Sequence, residues 1–97
     1  MEYQVRVTRI EAGKMGQFVE EWKATVARLR RRRGFMISGA WALEETDEFV
    51  WVLGWDGDGS FAEADAAYYA SDERRAFDPD PARLIVETVD HMGRRIV

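Results

Sequence analysis

The sequence predicts an α+β fold: one antiparallel four-stranded sheet with two helices laid on one of its faces. Three observations carry that expectation: a period-two strand at the start of the chain, two helical segments, and a hairpin of two apolar runs between them. Their order reads β-α-β-β-α-β, the ferredoxin-like arrangement. The chain is 97 residues long, which suits a single domain over residues 1–97 with one core.

Residues 2–10 alternate, with Tyr3, Val5 and Val7 on one face and Gln4, Arg6 and Thr8 on the other. That is the period of a half-buried strand. After Gly13, a weak helix start, Met15, Phe18, Trp22, Val26 and Leu29 recur at spacings of three and four, with Val19 at the edge. Such a stripe is the inner face of an amphipathic helix, and it puts Glu20, Glu21, Lys23 and Arg30 outside. Gly34 stands where a left-handed residue closes a helix.

Phe35, Ile37, Trp41 and Leu43 are expected on one face of the next strand, opposite small residues. The polar run 44–48 turns the chain, and residues 49–55 return as the second arm of a hairpin. With the turn centred on Thr46, Trp41 stands opposite Trp51 as a cross-strand aromatic pair. Both faces of these strands are largely apolar, with Met36, Ala40, Val50 and Val52 opposing the aromatic side. A monomer would expose one of them, and a patch of that size marks an interface.

The acidic stretch GWDGDGSFAE, residues 54–63, has the look of a metal loop. Counted from Asp56 as a calcium loop, however, position six is Phe61 and position twelve is Ala67, where glycine and glutamate are required. Ser60 with Glu63 instead forms the S-x-x-E capping box of a helix. Asp56 and Asp58 suit the positive end of that helix. No metal is assigned. In the helix that follows, Phe61, Ala64 and Tyr68 point inward. Ser71 opens a short further turn, and the prolines at 79 and 81 end it. A last strand over about 82–92 carries Leu84, Val86 and Thr88 on one face and Ile85, Val89 and His91 on the other.

Composition narrows the function classes. The chain is 46% hydrophobic and 33% charged, as ordinary globular domains are. Four Trp, five Phe and three Tyr leave aromatic surface for a pocket or a partner. Without cysteine there is no thiolate metal site, disulfide or cysteine nucleophile. No run of about 18 apolar residues exists to span a membrane, and MEYQVRVTRI reads as a strand rather than as an apolar stretch of signal-peptide type. Cytoplasmic residence is the expectation. A net charge of −4 argues against nucleic acid as a partner. The basic run from Arg28 to Arg33 reads as a solvated helix end matched to the dipole.

Chemistry has few carriers. His91 is the one histidine, so no two-imidazole metal site or relay exists within a subunit. It is either a general acid or base near neutral pH or a satisfied edge residue beside Asp90. Ser38 lacks the nucleophile elbow, and the glycine-rich run lacks a phosphate-loop lysine. No cofactor is assigned. Trp41, Trp51, Trp55 and Tyr68 compose a candidate ligand-binding face, with Asp65 and Tyr69 as its polar groups; plain core and dimer packing is the rival account.

YQVRVTRIEAGKMGQFVEEW, GFMISGAW, FVWVLGWDG and above all DAAYYASDERRAF span most of the sequence. Through them the chain resembles NIPSNAP-type members of the dimeric α/β-barrel superfamily. The resemblance implies a homodimer whose two sheets pack into a barrel, and a pocket for a small hydrophobic or aromatic molecule between sheet and helices. Within that superfamily are cofactor-independent monooxygenases of polycyclic phenols and lactone isomerases, but fold alone does not transfer function. Three functions are therefore weighed: a binding protein; a cofactor-independent monooxygenase, cyclase or isomerase of an aromatic or polyketide-like metabolite; and an interaction module without a pocket. In the second, His91, Asp65 and Tyr69 are the catalytic candidates and would move protons.

Overall fold

The computed structural model describes residues 1–97. It contains strand β1 (Glu2–Ile10), helices α1 (Met15–Ala24) and α2 (Val26–Arg32), and strands β2 (Met36–Leu43) and β3 (Glu48–Trp55). Helices α3 (Phe61–Ala70) and α4 (Asp72–Arg75) follow, then a 3-10 turn (Pro81–Leu84) and strand β4 (Ile85–Gly93). The sheet order is β2-β3-β1-β4 with every pairing antiparallel. This is the expected α+β, ferredoxin-like layout. No helix is long and apolar enough to cross a membrane.

Local signals form the helix ends as read. Ser60 Oγ accepts from the Glu63 amide at 3.1 Å, and the Ser60 amide donates to Glu63 Oε1 at 3.0 Å, completing the capping box. Ser71 caps α4 by accepting from the Arg74 amide. Gly34 takes φ +94° after α2, and the amides of Gly34 and Phe35 donate to the carbonyls of Arg31 and Arg30. That pair of bonds closes the helix as a glycine C-cap does.

The expected first helix is bent. Thr25 has φ −120° and ψ −73°, and its hydroxyl donates to the Glu21 carbonyl at 2.7 Å. Such back-bonding bends helices. Beyond the bend, α2 buries Ala27, Leu29 and Arg30. The expectation that Arg30 lies on the outer face is therefore corrected: it is 0% exposed. Arg28, Arg31 and Arg32 of the same run are solvated as read.

The hairpin register is also corrected. Leu43 pairs with Glu48, so the four-residue turn puts Trp41 opposite Val50 and Ala40 opposite Trp51. A bulge between Ile37 and Gly39 then reverses the facing of β2. Ile37 pairs with Leu53 on the helix side, whereas Trp41 and Leu43 face away. Phe35, Ile37, Trp41 and Leu43 do not share a face, and the Trp41–Trp51 pair does not form. A shift of one residue exchanges the two faces of a strand, and the bulge supplies that shift.

The core lies between sheet and helices. Phe18, Trp22 and Phe49 meet edge to face with centroids about 5 Å apart, and Trp22 meets Trp51 at 5.2 Å. Arg83 clamps the 3-10 turn to α1 through a two-bond pair with Glu21, at 2.6 and 2.9 Å.

Candidate functional site: a donor-lined cavity beneath the helices

On β1 the polar face, not the valine face, turns toward the helices. Gln4, Arg6 and Thr8 are buried, while Val5 and Val7 lie half-buried on the open side. A buried row of such residues requires partners. Arg6 finds them on three sides: Nε donates to Asp90 at 3.0 Å, Nη1 to the Tyr69 hydroxyl at 2.8 Å, and Nη2 to Gln4 at 2.6 Å. Asp90 reaches it because β4 pairs in register, Arg6 opposite Asp90.

Above this row lies a cavity of about 330 Å³. Phe18, Trp22 and Val26 of the first helical segments roof it, Trp51 forms part of the floor, and Tyr68 and Tyr69 close one side. Arg6, Thr8, Arg30, Arg74, Thr88 and Asp90 supply its polar lining. Its size and composition are those of a small-molecule site, apolar walls with a few placed polar groups.

Arg30 is the unusual member. Its guanidinium carbon lies 3.6 Å from the Tyr68 ring centroid and 4.7 Å from that of Phe35. Nη1 donates to Asp65 at 2.7 Å, and the same Asp65 oxygen lies 3.8 Å from Arg6. Nε and Nη2 of Arg30 are buried without a partner. So are Trp22 Nε1, Tyr68 Oη and Arg74 Nε, all on residues that line the cavity. Every one of these atoms can donate a hydrogen bond. Burial raises the Tyr68 phenol above its ordinary 10.0, against the opposing pull of Arg30 and Arg74. The hydroxyl thus stays protonated at neutral pH and acts as a donor.

The predicted site residues divide into two groups. Trp51, Tyr68 and Tyr69 line the cavity, and Asp65 stands behind it holding Arg30. Trp55 is on the same side of the sheet but packs on Phe35 at 5.0 Å, away from the cavity. Trp41 lies on the opposite face beside Val50. His91 pairs with Val5 and also faces away from the helices, so it does not meet Asp65 or Tyr69. The proton relay of those three is not assembled within the subunit.

Arg6, Arg30, Arg74, Trp22 and Asp90 were not among the expected site residues. Two of them had a signal: Arg30 stands four residues after Val26 and eight after Trp22, on the apolar stripe itself, and Arg6 centres the polar row of β1.

Comparison with solved structures places the fold. At 17% identity, 99% of this chain matches 95% of an uncharacterized NIPSNAP domain protein from Burkholderia xenovorans, with a TM-score of 0.84. A NIPSNAP family protein from Agrobacterium tumefaciens matches at 17% identity over 98% of this chain and 85% of that one, TM-score 0.82. A putative antibiotic biosynthesis monooxygenase from Nitrosomonas europaea matches along 100% of both chains at 13% identity, TM-score 0.71. At these identities the shared property is the fold. No family model matches the sequence, and no curated protein does.

Proposed function

We propose that this chain is a homodimeric, NIPSNAP-like binding protein for a small aromatic or hydrophobic molecule, held between the sheet and the helices. One observation carries the reading. Five of the six buried polar atoms without partners belong to residues lining one aromatic-walled cavity. Orphaned buried donors are costly, about 1–3 kcal/mol each, and a molecule that accepts from them offsets the cost. The dimer is supported by the other face of the sheet. There Val5, Val7, Val50, Val52, Val89 and Trp41 form an apolar surface, with Trp41 55% exposed and Val89 43% exposed. A second copy covers such a surface by packing sheet on sheet.

Tryptophan fluorescence titration with 2-naphthol tests the pocket, since Trp22 and Trp51 line it. Binding to the wild type, lost when Val26→Phe fills the cavity, is the expected result. Binding unchanged in Val26→Phe places the ligand elsewhere and sinks the reading.

The likeness to a protein described as a monooxygenase favours a second reading, a cofactor-independent oxygenase, cyclase or isomerase of an aromatic metabolite. In that case Tyr69 serves at the cavity, Asp65 acts from behind it through Arg30, and His91 would have to act from the open face. Oxygen uptake with a phenolic substrate, abolished in Asp65→Asn or Tyr69→Phe, would support it. Turnover unaffected by either would remove both from the chemistry.

A further inference from the structure

We infer that the ligand of this cavity carries a carboxylate, received side-on by the Nε–Nη2 edge of Arg30, on an aromatic or otherwise apolar body. The inference rests on the cavity being the ligand site. Arg6 uses Nε, Nη1 and Nη2 on Asp90, Tyr69 and Gln4. Arg30 spends only Nη1, on Asp65, and keeps the other two nitrogens unpartnered at 0% exposure.

In a guanidinium, Nε–H and the neighbouring Nη2–H form one edge with two parallel donors, and that spacing matches the two oxygens of a carboxylate. Asp65 fixes the guanidinium from the Nη1 side, and Tyr68 and Phe35 hold its plane. The free edge is therefore preorganised, and little rotamer entropy remains to be lost on binding.

The rest of the lining agrees in sign. Trp22 Nε1 and Tyr68 Oη are further unpartnered groups, the first a donor only and the second kept protonated by its burial. No carboxylate or amide oxygen is among the buried unpartnered atoms. The one lining carboxylate, Asp90, is already committed to Arg6. The buried groups left without partners are thus donors, and they ask for acceptors. Phe18, Trp22 and Trp51 leave apolar wall for the remainder of the molecule.

The test compares 2-naphthoate with its neutral amide, 2-naphthamide, by calorimetry and by the Arg side-chain Nε–H resonances in ¹⁵N NMR. The expected result is at least tenfold tighter binding of the naphthoate, with the Arg30 Nε–H resonance displaced on saturation. Arg30→Lys keeps the charge, loses the fork, and should erase the preference. Tyr68→Phe removes a donor that no protein group uses, so the fold should survive while the preference shrinks several-fold; it keeps the test decisive where the lysine variant fails to fold. Equal binding of both probes with the Arg30 resonance unmoved overturns the carboxylate while leaving the cavity as a binding site. Binding of neither probe, together with no binding of 2-naphthol, overturns the cavity reading itself.

Discussion

The two faces of the sheet are built on opposite rules. Beneath the helices, β1 presents Gln4, Arg6 and Thr8, all buried, and α2 adds a guanidinium with no exposure at all. On the other side β1 and β3 present half-buried valines, and β2 and β4 an exposed Trp41 and Val89. Hydrophobic burial alone would have arranged them the other way round. Arg6, Thr8 and Arg30 line the cavity, and Trp41 and Val89 stand exposed on the open face. The cavity and the apolar open face are two consequences of one inverted strand.

Substitutions on the helix side are expected to have the largest effects. Trp51→Ala removes a 3% exposed indole that packs on Trp22 and lies 5.4 Å below the Arg6 guanidinium. A loss of about 3–5 kcal/mol is expected in chemical denaturation, and a loss below about 1 kcal/mol would mean the floor of the cavity is not packed as described.

Asp65→Ala comes next. It strips Arg30 of its one side-chain partner and removes the charge facing Arg6. Breaking a fully buried pair costs about 3–5 kcal/mol; with Asp65 22% exposed at the side chain, about 2 kcal/mol is the expected loss after allowing for solvent screening. Asp65→Ala melting like the wild type would show that Arg30 is held by its aromatic neighbours alone.

The open face should respond in the opposite sense. Val50→Asp places a charge between Val7 and Trp41 in register. Expected is a folded monomer by light scattering, with the subunit itself destabilised by only about 1 kcal/mol, the span of strand preferences. A variant that still dimerises would move the interface off this face.

The smallest effect is at the α3 cap. Hydrogen bonds from the Ser60 backbone and then its side chain lower the Glu63 pKa from 4.5. Because the folded value is the lower one, this stabilisation is present above pH 4.5 and is lost as pH falls through the folded value. Ser60→Ala should cost about 1 kcal/mol at neutral pH and show a shallower acid loss than the wild type. Parallel pH profiles for the two proteins would leave the Glu63 shift to the backbone amide of residue 60 alone.

How far these features were legible follows the range of the forces involved. The caps at Ser60, Ser71 and Gly34 are contacts within five residues, and each is where the spacing puts it. The element order and strand β1 follow from periodicity. The facing of β2 did not, because it depends on a bulge at Ser38 and on half a residue of turn register, neither of which has a compositional mark. Trp41 left the expected site for that reason. His91 is separated from it by the antiparallel register of β4 on β1.

Arg30 was hidden differently. It lies inside a run of arginines, where composition argues for solvent, and only its place on the 22–26–30 stripe argues for the interior. Its partner Asp65 is thirty-five residues away, so no local pattern could supply the compensating charge. The aromatic half of the site, Trp51, Tyr68 and Tyr69, was readable; the cationic half was not.

The most direct test of two faces with two tasks is native mass spectrometry of the wild type and Val50→Asp in the presence of 2-naphthoate. The account predicts a wild-type dimer carrying two molecules and a Val50→Asp monomer carrying one. A wild-type monomer, or a folded variant monomer that binds none, would contradict the separation of cavity from interface.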